Sequence, residues 1–443
     1  MLAVFDAQKV KPSPSALREE PLVDRPARSL GQAAAPEAPQ IIFVNRFFYP
    51  DHSATSQMLT DLAFHRATAG RPVRVITSRQ RYDDPQAGLS EQETMNGVAI
   101  NRVSTTRFGR SALIGRGFDY LSFYVSVWRS ILALATPGAI LVAKTDPPLL
   151  CIPALYAVRQ RGLRLVNWLQ DLYPEVATKL GVPIARGPVA PALLRLRDIS
   201  LRAASANVVV GERMAELVRA RGVDPTRVHV IPNWCDDDEI RPVANADNPL
   251  RREWGLNGRF VVGYSGNLGR GHEFETILGA AEHLRHEPHI VFLFIGGGRK
   301  LDEFVSEVHK RNLAGAFRFL PYQERAGLKH SLSVPDVHWI SLRPELEGLI
   351  VPSKFYGIAA AGRPVIAITA SDGEIARLVR RHRCGIVVEP GASQILANHL
   401  RHLSADVGAV TGMGYRARTM LDHHFTRQQA FAAWDRVLDG DRP

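Results

Sequence analysis

Cysteine is scarce in this chain. Cys151, Cys235 and Cys384 stand singly among 443 residues. That spacing excludes a Cys-x-x-Cys metal site and argues against a disulfide framework, so a reducing cytoplasm is the expected setting. Long apolar runs are missing as well, and none is long enough to cross a bilayer. Residues 1–38 are rich in proline and alanine and lack the apolar core of a signal peptide. They are expected to form a disordered tail. The turn after the first apolar strand has no Gly-x-Gly-x-x-Gly, which weighs against an NAD enzyme. No P-loop, zinc spacing or Ser-His-Asp order occurs elsewhere.

Acidic residues are also few where basic ones gather. Net charge is +11, and between Ile100 and Gln170 nine basic residues, from Arg102 to Arg164, face chiefly Asp119 and Asp146. Among them lies Phe118–Leu134 (FDYLSFYVSVWRSILAL), an amphipathic stretch whose aromatics suit a membrane interface. A buried helix on an ordinary basic surface reads equally well. No helix-turn-helix, zinc module or aromatic-basic platform accompanies the charge, so no nucleic-acid partner is expected.

What is present is a globular composition, 45% hydrophobic and 22% charged, on a chain long enough for two cores. From Ile41 short apolar strands alternate with helical stretches, the mark of βαβ units and parallel sheets. The pattern breaks at the polar segment from Pro232 to Pro249 and restarts at Phe260–Tyr264. The expected architecture is α/β, with two Rossmann-like doubly wound domains facing each other across a cleft. Their bounds are 39–240 and 241–420, and a final helical segment, 421–443, is expected to pack back toward the first. Asp236, Asp237 and Asp238 fall in the linker and read as a solvated acid patch rather than a metal motif.

Ligands of such sheets bind where strands give way to loops and helices. The run Val337–Ile368 (VHWISLRPELEGLIVPSKFYGIAAAGRPVIAI) gathers Glu345, Glu347, Ser353 and Lys354 at one such edge. Ser353 is placed to cap a helix, and Lys354 to neutralise phosphate as a point charge. Glu347 can accept hydrogen bonds from sugar hydroxyls, whereas Glu345 can simply pair with Arg343. The second half opens with GYSGNLGRGHEFETIL, in which Gly266 and Gly269 permit close backbone approach and Arg270 adds charge. Gly296-Gly297-Gly298 repeats the theme one strand later. In the first half, Asp51 and His52 lie in a long loop after the first strand, and Gln170 and Asp171 end another. Asp171 can orient a sugar hydroxyl, or serve as a helix cap or in an ion pair.

GYSGNLGR, FIGGG, EGLIVPSK and AAGRPVIAI, taken with FFYPDHSATSQMLTDLA and WLQDLYPEVATKLGV in the first half, resemble GT-B glycosyltransferases of family 4. They are most like the subgroup that builds bacterial O-antigen, capsule and exopolysaccharide chains. The likeness runs from about Ile41 to the end of the chain. It implies retaining, metal-independent transfer without a cofactor, from a nucleotide-sugar on the C-terminal domain to an acceptor on the N-terminal one. By position it implies Gly266, Asn267, Arg270, Gly297, Ser353 and Lys354 as donor-binding residues. Glu347, Lys354 and Asp171 are the catalytic candidates. The implied acceptor is a polyprenyl-diphosphate-linked saccharide, met on the cytoplasmic face of the inner membrane through peripheral contact with anionic lipid. The chain departs from the pattern where Gly357 replaces a second glutamate, where Asn267 and His272 fall near an expected Arg and Lys, and where Gln170 replaces a His. A nucleotide-sugar epimerase and a non-catalytic sugar-nucleotide-binding subunit are the alternatives.

Overall fold

A computed structural model describes residues 38–108, 113–182 and 189–440, so the expected tail, but for Ala38, lies outside the described residues. Two sheets carry the molecule. The first has eight strands: β1 (Ile41–Val44), β2 (Val73–Ser78), β3 (Gln92–Met95), β4 (Val98–Val103), β5 (Ile140–Lys144), β6 (Arg164–Leu169), β7 (Ala206–Val209) and β8 (Val228–Val230). Their spatial order is β3-β4-β2-β1-β5-β6-β7-β8, parallel except for the β3–β4 hairpin. The second has six: β9 (Phe260–Asn267), β10 (Ile290–Gly297), β11 (Phe317–Leu320), β12 (Val337–Ser341), β13 (Val365–Ile368) and β14 (Gly385–Val388). They run in the order β11-β10-β9-β12-β13-β14, all parallel.

Strands β1 and β13 are apolar and buried along their whole length, and β5 is buried throughout and apolar up to Lys144, as sheets covered on both faces require. Strand order reverses between β1 and β5 in the first sheet and between β9 and β12 in the second. The loops after these strands therefore diverge and leave a crevice at each switch point. That topology puts the Gly266 turn and the loop from Arg343 to Lys354 side by side.

The lobes share apolar packing. One cluster joins Leu172, Val176 and Met214 of the first lobe to Leu346, Leu349 and Phe355 of the second. Backbone seals the junction: Leu172 N–H donates to the Leu349 carbonyl at 2.9 Å, and Asp171 forms an antiparallel bridge with Ile350. The Glu374 carboxylate accepts the Arg213 N–H at 3.0 Å, at the start of the helix Glu212–Arg219.

The chain closes on its first lobe. The helix Arg427–Asp439 starts with a capping box on Thr426 and Gln429 and lays Ala430, Trp434 and Leu438 into the core around Phe43 and Trp168. Trp434 is fully buried, 4.6 Å from the Trp168 ring centre. Arg66 binds both Asp435 and Asp439. Here the linker acids also find partners. Asp236 pairs with Arg325 and Arg427, and Asp237 accepts the Arg427 N–H at 2.9 Å. They are the seat of the last helix rather than a solvated patch, because that helix returns its N-terminal arginine to the linker.

Trp434→Ala should therefore lower stability by about 3–5 kcal/mol through the cavity it leaves. Urea unfolding of the full chain will read this as a lowered midpoint, with Trp434→Phe in between.

Candidate active site

At the switch point of the second sheet, β9 and β10 run on beyond their neighbours. They stay paired through Gly266 opposite Gly296 and Asn267 opposite Gly297. Gly266 and Gly296 have φ of +122° and +141°, and a Cβ on Gly296 would stand 2.2 Å from the Gly266 carbonyl oxygen. Only glycine fits this approach.

The space beside Gly266 is taken by Lys354, whose Nζ lies 3.9 Å from where a Gly266 Cβ would point. Lys354 opens the helix Lys354–Ala360. Its ammonium donates to the Tyr264 hydroxyl and sits 3.8 Å from the Tyr264 ring centre. Tyr264 passes the chain on, donating to the Asn267 carbonyl at 2.8 Å. Among the described residues no carboxylate faces this ammonium, and burial pushes its pKa down to about 7. A half-buried cation held against a hydroxyl and a ring, with no carboxylate facing it among the described residues, is poised for an anion.

His272 completes this corner. Burial first, and then the charge of Lys354, pushes its pKa down to about 3. The neutral ring presents Nδ1–H to the Ser341 carbonyl at 2.6 Å, which leaves Nε2 as the unprotonated nitrogen. Ser353 stands at the N-cap position but forms no side-chain cap bond, its backbone being already helical; the capping expected of it is not made. Arg270 is exposed and unpaired among the described residues. Arg343 pairs with Glu345.

Glu347 follows a single 3₁₀ turn, Pro344–Leu346. Its carboxylate accepts from the Thr369 hydroxyl and, at 3.3 Å, from the Glu374 N–H. Burial raises its pKa in spite of these donors. Asp171 reaches the same junction from the first lobe, since Asp171 and Glu347 both bridge Ile350. The two backbones converge while the side chains diverge. Burial, then Asp146, raises the Asp171 carboxyl to about 7 against the pull of Lys144. The Lys144 ammonium is buried, donates to the Thr55 carbonyl at 2.6 Å and lies 3.7 Å from the Trp168 ring centre. Of the first-lobe loop residues, Asp51 is consumed by its own turn, accepting from Ser53 and from the Tyr82 N–H. His52 is exposed.

Gly266, Asn267, Gly297 and Lys354 thus form one cluster, with Arg270 out on the same loop. Glu347 and Asp171 meet at the lobe junction through their backbones, not their carboxylates. Tyr264, Thr369 and Lys144 are additions from the structure. Lys144 had a sequence signal, a lysine closing the apolar strand Ile140–Lys144. Tyr264 and Thr369 had none, being ordinary residues for a strand and its end.

Lys354 should half-react with an amine-selective acylating reagent near pH 7, against about 10.4 for an ordinary lysine. Tyr264→Phe, which removes a hydrogen bond to the charged form, should move that midpoint lower still. Peptide mass spectrometry across a pH series reads both.

Residues 54–234 match the glycosyl transferase 4-like domain, and residues 259–406 match the glycosyl transferases group 1 domain. The chain is 28% identical to the probable glycosyltransferase WbjE of Pseudomonas aeruginosa over 75% of this chain and 83% of that protein. It is 25% identical to the putative colanic acid biosynthesis glycosyl transferase WcaI of Escherichia coli K12, covering 80% of this chain and 89% of that one. HepE of Anabaena, solved in complex with UDP-glucose, superposes with a TM-score of 0.68 at 16% identity, over 90% of this chain and 99% of its own. The chain belongs to the GT-B glycosyltransferases that join a glycosyl transferase 4-like domain to a glycosyl transferases group 1 domain.

Proposed function

We propose that this glycosyltransferase moves a sugar from a nucleoside diphosphate to a polyprenyl-diphosphate-linked saccharide in the synthesis of a cell-surface polysaccharide. The observation that carries the reading is the Lys354 ammonium, half-buried on Tyr264 beside the open backbone of Gly266 and facing no carboxylate among the described residues. A diphosphate supplies the missing counter-charge. The UDP-glucose complex of HepE supports a nucleotide-sugar donor, and the names of WbjE and WcaI support the polysaccharide setting.

The leaving group gains charge on its bridging oxygen as the glycosidic bond breaks. Lys354, with Arg270 beyond it, meets that charge in the role a metal would otherwise fill. Glu347, oriented by Thr369 and the Glu374 N–H, is assigned to hydroxyls of the donor. Asp171, across the junction, is assigned to a hydroxyl of the acceptor. Retention is proposed to follow front-face attack, the departing phosphate taking the acceptor proton.

Contact with anionic lipid is proposed for the helix Leu113–Leu134. Its outer face exposes Phe118 and Leu121, each more than half accessible, and Arg129 points outward. Phe108 packs against Phe118 and is also exposed. Exposed apolar side chains with an arginine on the same helix suit a headgroup layer. Among the described residues no helix is long and apolar enough to cross a membrane.

Incubation with UDP-, GDP- and dTDP-sugars and polyprenyl-diphosphate-GlcNAc tests the reaction, with a sugar-mass increment on the lipid expected by mass spectrometry. Epimerised donor in place of that increment would overturn the transfer. Lys354→Ala should cut turnover by about 10²–10³-fold.

Donor affinity should also depend on pH. The anion prefers protonated Lys354, so binding is fullest below the free pKa of about 7 and weakens as pH rises through it, approaching about tenfold per unit. Calorimetry at pH 8 in two buffers should register proton uptake that Lys354→Arg abolishes. Vesicles rich in phosphatidylglycerol should bind the protein at low salt, and Phe118→Asp with Arg129→Glu should release it.

A further inference from the structure

The loop from Gly266 to Phe274 carries more positive charge than Lys354 and Arg270 bring to it. The Lys300 backbone N–H donates to the Leu268 carbonyl at 3.1 Å, which fixes Lys300 to the middle of that loop. Its ammonium lies 5.1 Å from the ring centre of Phe274, at the loop's far end. Lys300 is half-buried, and among the described residues it has no ion pair.

Among the described residues the acids of this neighbourhood form no ion pair with Lys300. Glu273 turns to the helix Glu275–His283, accepting the Thr276 N–H at 2.7 Å, and Glu345 holds Arg343. His272 lies within the electrostatic reach of both Lys354 and Lys300 and contributes no charge of its own. Two ammonium groups therefore serve one glycine-rich loop, and among the described residues neither has an ion pair.

Two cations at one loop without ion pairs are ordinarily answered by an acid. A ligand with negative charge on two adjacent groups would answer them here. We infer that Lys300 is a second phosphate-binding residue of the donor site, acting with Lys354 so that the Gly266–Phe274 loop is a two-lysine clamp for the donor's diphosphate. The inference rests on the donor-site reading above. It accounts for the loop's own composition: where the family resemblance led us to expect an Arg and a Lys, the chain has Asn267 and the neutral His272. Lys300 and Lys354 supply two cations from the flanking segments instead. Phe274 orients the Lys300 stem and leaves its ammonium free to bind.

The test is the discrimination between one phosphate and two. Full-length wild type and variants are titrated with UDP and UMP, and in parallel with GDP and GMP, by calorimetry at pH 6.5. Lys300→Met keeps the apolar stem against Phe274 and removes only the charge. It should weaken the diphosphate that wild type prefers by about 10–100-fold, and the matching monophosphate less than about threefold. Lys300→Arg should restore most of the loss. Equal losses for mono- and diphosphate, or no loss for either, would overturn the role of Lys300 while leaving the donor site standing. Wild type that binds neither diphosphate, at any concentration that leaves it folded, would overturn the donor-site reading and this inference with it. An unchanged melting temperature for Lys300→Met separates lost charge from lost fold.

Discussion

A single steric constraint organises the donor side of this molecule. β9 and β10 stay paired beyond the point where β12 has left β9, and they do so only because Gly296 has no side chain to strike the Gly266 carbonyl. The backbone left bare by that contact receives the aliphatic end of Lys354, and the extended β9 places Tyr264 beneath the ammonium. A side chain on Gly296 would drive the strands apart, and one on Gly266 would be strained at its φ of +122° and stand against the end of Lys354. The electrostatics of the site are thus a consequence of packing in the sheet.

The second organising contact is at the lobe junction. Ile350 is bridged on one side by Asp171 and on the other by Glu347, so the segments carrying the two carboxylates share one short piece of backbone. The carboxylates themselves are held within their own lobes, Glu347 by Thr369 and Asp171 by the field of Lys144 and Asp146. Backbone fixes their separation, and burial first, then neighbouring side chains, sets their charge.

Much of this was legible in the sequence. Alternation of short apolar runs with helical stretches located most of the parallel strands to within a residue or two, because strands buried on both faces need unbroken apolar runs. The gathering of Gly266, Asn267, Gly297 and Lys354 was also legible, since strand ends in a parallel sheet lie at one edge. The β3–β4 hairpin was overlooked although Asn96-Gly97 is a strong hairpin signal. Its strand Gln92–Met95 is polar and half-exposed, so the apolar criterion passed over it. The tie of Asp236–Asp238 to Arg427 spans nearly two hundred residues, and charge pattern alone cannot reveal a partner so remote. The same holds for the withdrawal of Glu347 onto Thr369, which depends on where β13 ends in space.

The return of the last helix to the first lobe makes the donor lobe an insert in the chain. Everything from β9 to the helix Val407–His424 lies between the strands of the first lobe and the helix that completes its core. During synthesis the first lobe must therefore wait for the whole donor lobe to emerge before Trp434 can fill its place. Until then the rings of Trp168 and Trp234, which stack at 5.7 Å, keep an uncovered side. The interval in which this protein is most open to chaperones and proteases is thus set by the length of its second lobe, and it ends only with the final turns of helix.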